Sequence, residues 1–504
     1  MDIDPELVAA ARAAFPAAGK TIVLGAPTHA GVCHPEPLVQ VPIAMLNRHG
    51  LIAGATGTGK TKTLQLMAEQ IAAAGTPVFV ADLKGDLSGL GAPGEPSERI
   101  AARARETGYA WHAAAFPIEL VSLSGTRGAQ LRATVSSFGP LLLAKVLGLN
   151  ETQTSILAMV FKYCDDRDLL LLDFSDLRAV LQHLTGSGAN DLKDYGGMSK
   201  ASVGVLLREM VTLEAQGALA FFGEPEFELG DLLQERDGRG LVTVLELADV
   251  QDKPALFSTF MMWMLARLYS TLPEVGDLDQ PKLVFFFDEA HLLFAGASKA
   301  FLDQVQQVVR LVRSKGVGVF FVTQSPKDVP ADVLAQLGHR VQHALRAFTP
   351  DDEKALRAAA RTFPKTSFYD VEETLTTLGI GEALITVLGA NGVPTQPFAT
   401  RMIPPASRMG PLSAAELAPH LDTAQIKKYA LAVDRESARE ALSVHAGEPT
   451  PSNADAAPGR ARRPQAESSA LEKILKSPLT RSVATQVTRS LMGALFGPTR
   501  RRRY

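Results

Sequence analysis

The chain has 504 residues, 46% apolar and 21% charged, the balance of a soluble globular protein with room for two to four domains. A formal charge of −3 excludes nucleic-acid binding through a global field, so any such contact needs a local basic surface. Two distant cysteines, Cys33 and Cys164, argue against a disulfide framework or zinc site, and the acidic N-terminus and lack of an apolar run near 18 residues argue against a secretory leader or membrane span. A reducing, cytoplasmic location is the expectation.

Residues 1–45 read as a lead-in, with an amphipathic segment at 5–15 and short strands and turns from Leu24 to Pro42. An α/β region follows at 46–135. There the apolar strand Leu51–Ala53 runs into Gly54-Ala55-Thr56-Gly57-Thr58-Gly59-Lys60-Thr61-Lys62, the G-x-x-x-x-G-K-T pattern of a phosphate-binding loop opening a helix. The three glycines let successive N–H groups close around an anion, Lys60 reaches the β- and γ-phosphates, and the Thr61 hydroxyl ligates Mg²⁺. ATP and Mg²⁺ are therefore the expected cofactors. The next strand, 77–82, ends in Asp82-Leu83-Lys84, and both Asp82 and Lys84 are expected at the sheet edge that carries the loop, in contact with nucleotide or metal.

From 136 to 230 the strand signals fade and apolar residues recur at helical spacing, which reads as a helical insertion. Strands return at 231–405. The most informative, Leu283–Phe287, ends in Asp288-Glu289, where Asp288 would hold Mg²⁺ and Glu289 would polarise the attacking water. A further buried strand, 318–322, ends in Thr323-Gln324, and Gln324 could reach the γ-phosphate or that water. The helix before it carries Arg310 and Arg313 near its end, where a cation suits the helix dipole and equally suits an arginine finger offered to a neighbouring subunit. Helices are expected over 406–446, then a flexible linker and basic amphipathic tail, 447–504, ending in four arginines at 500–503.

The ordered motifs Gly-Ala-Thr-Gly-Thr-Gly-Lys-Thr, Asp-Leu-Lys-Gly-Asp-Leu, Phe-Phe-Phe-Asp-Glu-Ala-His, Arg-Ser-Lys-Gly-Val-Gly, Val-Thr-Gln-Ser-Pro-Lys-Asp-Val-Pro and Arg-Ala-Phe-Thr-Pro-Asp-Asp resemble the FtsK–HerA superfamily of pumping ATPases, and within it the YjgR-type group of HerA-like helicases. The resemblance covers about residues 45–405 and extends into the tail. It implies a RecA-like, mostly parallel sheet with the catalytic strands flanking the P-loop strand, a homohexameric ring, movement along double-stranded DNA, a nuclease or other protein partner, and Arg313 as the finger. Only about 45 residues precede the loop, so the N-terminal β-barrel that archaeal HerA uses for ring assembly and nuclease docking is expected to be missing. Two other readings stay open on the residues alone: an ATP-dependent switch or scaffold that does not translocate, and a protein-moving ATPase of the secretion type.

Overall fold

The computed structural model describes residues 4–16, 19–276, 278–294, 299–389, 391–433 and 435–446; the linker and basic tail at 447–504 lie outside the described residues. Its centre is one 13-stranded sheet. Eleven strands of four or more residues build it: β1 (Thr21–His29), β2 (Val39–Pro42), β3 (Gly50–Ala53), β4 (Val78–Asp82), β5 (Ile118–Ser122), β6 (Val242–Glu246), β7 (Leu283–Phe287), β8 (Val317–Thr323), β9 (His339–His343), β10 (Glu382–Thr386) and β11 (Phe398–Met402). Their order across the sheet is β1-β11-β10-β9-β3-β8-β7-β4-β6-β5, with β2 also paired to β1.

From β9 to β5 every neighbouring pair is parallel, and these strands read as unbroken apolar runs because helices cover both faces. Alternation along β7 divides the core. Leu283, Phe285 and Phe287 join one cluster with the helical insertion, whereas Val284 and Phe286 join another beneath the P-loop helix Lys60–Ala73. The insertion comprises helices such as Glu151–Asp166, Phe174–Thr185 and Lys200–Ala215. The long apolar helix Pro254–Thr271 buries Trp263 completely, and no helix among the described residues is long and apolar enough to cross a membrane.

Two features differ from the sequence-based expectation. The first concerns the catalytic strands: β8 lies beside the P-loop strand β3, but β7, which carries the acids, lies one strand further out. A strand that supplies Gln324 thus stands between the phosphate loop and Asp288-Glu289. Secondly, strands from the N-terminal residues 1–45 join the central sheet. Residues read as a lead-in supply β1 and β2, and β1 pairs antiparallel with β11 in the register Gly25↔Met402. This gives the parallel sheet an antiparallel flank on the β9 side.

Candidate functional site

Parallel strands deliver their C-terminal ends to one edge, and that edge collects the chemistry. Gly54, Gly57 and Gly59 adopt φ of 154°, 79° and 121°, backbone that side chains other than glycine's disfavour. Gly54 has a second reason: a Cβ there would lie 2.5 Å from the Cβ of His343. Gly59 caps the N-terminus of the P-loop helix, so Lys60, Thr61 and Lys62 occupy its first turn. The Thr58 hydroxyl donates to the Ala55 carbonyl at 2.7 Å, while Thr56 and Gly57 are exposed at the loop tip. Lys60 is buried and its ammonium donates to the carbonyls of Gly54 at 2.7 Å and Ala55 at 3.2 Å. Burial lowers its pKa, and the charges of Glu289 and Asp288 oppose that shift. Burial also lowers the pKa of Lys62.

The loop is strapped to the neighbouring strands. The Gly54 N–H donates to the Thr323 carbonyl at 3.3 Å, the Ala55 N–H to Ala344 at 2.8 Å, and the Gly381 N–H to Thr58 at 2.9 Å. Buried His343 ties the helix to this frame: one ring nitrogen lies 2.8 Å from the Glu382 carbonyl and the other 2.9 Å from the Thr63 hydroxyl. Burial holds its pKa down to about 4, so it is neutral, with the nitrogen facing Glu382 as donor and the one facing Thr63 as acceptor.

Asp288 and Glu289 follow β7, both nearly buried. Asp288 Oδ1 accepts from the Glu289 N–H at 2.9 Å, and Glu289 takes a positive φ of 49°, an uncommon conformation for a side chain of this size. One oxygen of each carboxylate, Asp288 Oδ2 and Glu289 Oε2, is buried without a hydrogen-bond partner among the described residues. Burial, with the Glu289 charge adding to it, pushes the Asp288 pKa up to about 6. Orphaned acceptors beside a crowded acid fit a divalent cation, and Thr61 and Asp288 are the residues that would hold Mg²⁺ there. Glu289 Oε2 also lies 3.4 Å from His291 Nδ1.

Asp82 and Lys84 occupy this edge in an arrangement the sequence did not disclose. The Asp82 carboxylate accepts backbone N–H groups from Lys84 at 3.1 Å, Gly85 at 2.8 Å and Leu87 at 2.7 Å, so it shapes the loop after β4. That loop delivers the Lys84 ammonium to Glu289 Oε1 at 2.7 Å. The hydrogen bond to Glu289 raises the Lys84 pKa, while burial works against the shift. Glu246, in register with Asp82 on the next strand, extends the row of acids; burial and the Asp82 charge push its pKa up to about 7.

Gln324 is exposed immediately after β8, beside the start of the P-loop. Arg313 is at the other end of that strand. It opens a single 3-10 turn, Arg313–Lys315, just before β8 begins, and its side chain is exposed. Seven strand residues at roughly 3.3 Å each separate it by about 20 Å from the edge that holds Lys60 and Glu289 of its own chain. His343, Glu246 and the pairing of Lys84 with Glu289 were not anticipated, since no spacing pattern marks a single His or acid at a strand end.

Curated relatives match short portions of the chain. A probable helicase of Methanocaldococcus jannaschii is 27% identical over 154 residues, 29% of this chain and 28% of that protein. The DNA double-strand break repair helicase HerA of Sulfurisphaera tokodaii is 26% identical over 164 residues, 32% of each. The chain thus spans less than a third of the length of these relatives. Among solved structures, the conjugative coupling protein TrwB without its first 70 residues covers 81% of this chain and 93% of its own at 15% identity and a TM-score of 0.48. VirB4 of Thermoanaerobacter pseudethanolicus covers 79% and 99% at 14% identity and a TM-score of 0.45. A likeness this distant says nothing of activity. The model of the helicase HerA-like C-terminal family, however, matches residues 30–503, nearly the whole sequence. With a P-loop, a mostly parallel RecA-like sheet and a paired-acid strand already in place, the chain belongs to the HerA-like helicase family.

Proposed function

We propose that the protein is an ATP hydrolase of the HerA type, which couples loss of the γ-phosphate to movement on double-stranded DNA. The observation that carries the chemistry is the pair of buried acids, Asp288 and Glu289, at the same sheet edge as the P-loop and each with an oxygen that accepts no hydrogen bond among the described residues. In this reading the P-loop N–H groups cradle the phosphates, and Lys60 exchanges the Gly54 and Ala55 carbonyls for β- and γ-phosphate oxygens. Mg²⁺, held by Thr61 and Asp288, would neutralise charge on those oxygens. Glu289 orients the attacking water and accepts its proton once Lys84 has given up Oε1. Gln324, next to the loop, senses the γ-phosphate.

Arg313 cannot serve its own site across about 20 Å, so a finger role requires a second copy in a ring. The family membership and the HerA relative support that assembly and DNA as the track. The test is ATPase activity with and without duplex DNA. Stimulation several-fold or more is expected; activity indifferent to DNA would replace translocation with a switch, a scaffold or a protein-moving motor.

A further inference from the structure

The phosphate and catalytic ends of the site leave one part of the substrate without a seat. Glu289 and Asp288 stand on the β8–β7 side of the P-loop, so the phosphate that is cleaved must face that way. The nucleoside then leaves the loop on the opposite flank, over β9 and β10. What stands there is the turn before β10, Gly379-Ile380-Gly381, packed against the loop itself. The Gly381 N–H donates to the Thr58 carbonyl at 2.9 Å, and a Cβ on Gly59 would lie 3.5 Å from the Gly381 Cα.

This turn is also held by Arg103, on the helix Glu98–Thr107. The guanidinium donates to the carbonyls of Gly381 at 2.9 Å and Ile380 at 3.3 Å, with a longer bond to Met402 at 3.4 Å. Gly381 needs its φ of 72° to make the turn, and a side chain there would press on Arg103. The result is a fixed backbone with an aliphatic side chain left outside the core: Ile380 is 71% exposed, while Arg103 keeps 27% of its side chain open to solvent. A planar guanidinium fixed by carbonyls and an aliphatic branch are both surfaces on which an aromatic base packs well.

Resting on the nucleotide reading above, we propose that Ile380 and the guanidinium of Arg103 form the seat for the purine base of the bound nucleoside triphosphate. Ile380 covers one part of the base, the Arg103 face another, and the Gly381 turn sets their distance from the phosphate cradle. The seat recognises shape and aromaticity, and it adds affinity that the triphosphate alone does not receive.

Calorimetric titration of the full-length protein with Mg-ATP and, separately, with Mg-tripolyphosphate, which has no base, tests this. Wild type should bind ATP more tightly than tripolyphosphate. Ile380→Ser should weaken ATP about ten-fold, the scale for removing one packed aliphatic side chain, and leave tripolyphosphate unchanged. Ile380→Met, which restores apolar surface, should bring ATP back to within about two-fold of wild type. The exposed position makes both variants safe for folding. If Ile380→Ser binds ATP as wild type does, or loses ATP and tripolyphosphate in the same proportion, the base does not sit there. If wild type binds neither ligand, the nucleotide reading fails and the seat with it.

Discussion

Removing the Lys84 ammonium while keeping its length, as in Lys84→Met, exposes what that contact contributes to the nucleotide-free protein. The pair is 2.7 Å long, with the Glu289 side chain 8% exposed and that of Lys84 46% exposed. Breaking a wholly buried pair by deleting one partner costs about 3–5 kcal/mol, whereas an exposed pair contributes about 1 kcal/mol or less. One buried and one half-open partner place this contact between those limits, at about 1–2 kcal/mol after solvent screening. Urea unfolding of Lys84→Met, Glu289→Gln and the double variant forms a cycle that isolates the pair. Lys84→Met should cost about 1–2 kcal/mol in the wild-type background and less than about 0.5 kcal/mol beside Glu289→Gln. An equal cost in both backgrounds would show that Lys84 and Glu289 do not interact in solution, and that Glu289 has no cation to release before it can act.

Three further outcomes are expected. His343→Ala removes the acceptor of the Thr63 hydroxyl and a donor to the Glu382 carbonyl in a buried setting, so unfolding free energy should fall by about 2–4 kcal/mol, measured by urea denaturation. Glu246 has its pKa raised from 4.5 to about 7, so its contribution to stability is complete below pH 4.5 and is lost as pH rises through 7. Thermal unfolding should therefore show Glu246→Gln gaining on wild type between pH 5.5 and 8, by about 2 kcal/mol; a constant difference would contradict the shift. Mixing Arg313→Ala with Glu289→Gln, each expected to be inactive alone, should restore part of the ATPase activity if subunits exchange, because some interfaces then join an intact Glu289 to an intact Arg313. A mixture that exchanges subunits yet stays inactive leaves Arg313 as a helix-end charge.

What the sequence disclosed depended on how local each feature is. The P-loop and the Asp288-Glu289 strand end are patterns of a few residues, and the turn and strand that hold them follow from glycine freedom and apolar runs. Pairing between distant segments leaves no such mark. β1 joins β11 because both present a free edge, and the residues at 21–29 alone give no sign of that partner. His343 acquires its meaning from Thr63, 280 positions away, and Lys84 from Glu289, 205 positions away. The order of strands across the sheet likewise depends on crossovers, which explains why β8 came to lie between the loop and the acids.

The most direct test of the proposed chemistry measures phosphate release and ATP binding together for wild type, Lys60→Ala and Glu289→Gln. Wild type should hydrolyse ATP, and Lys60→Ala should lose binding and turnover alike. Glu289→Gln should bind ATP as wild type does but release phosphate about 10²–10³-fold more slowly, since Glu289 acts on the barrier while the loop and Mg²⁺ supply the ground-state affinity. Wild-type turnover by Glu289→Gln would contradict the assignment of this edge as the hydrolytic site.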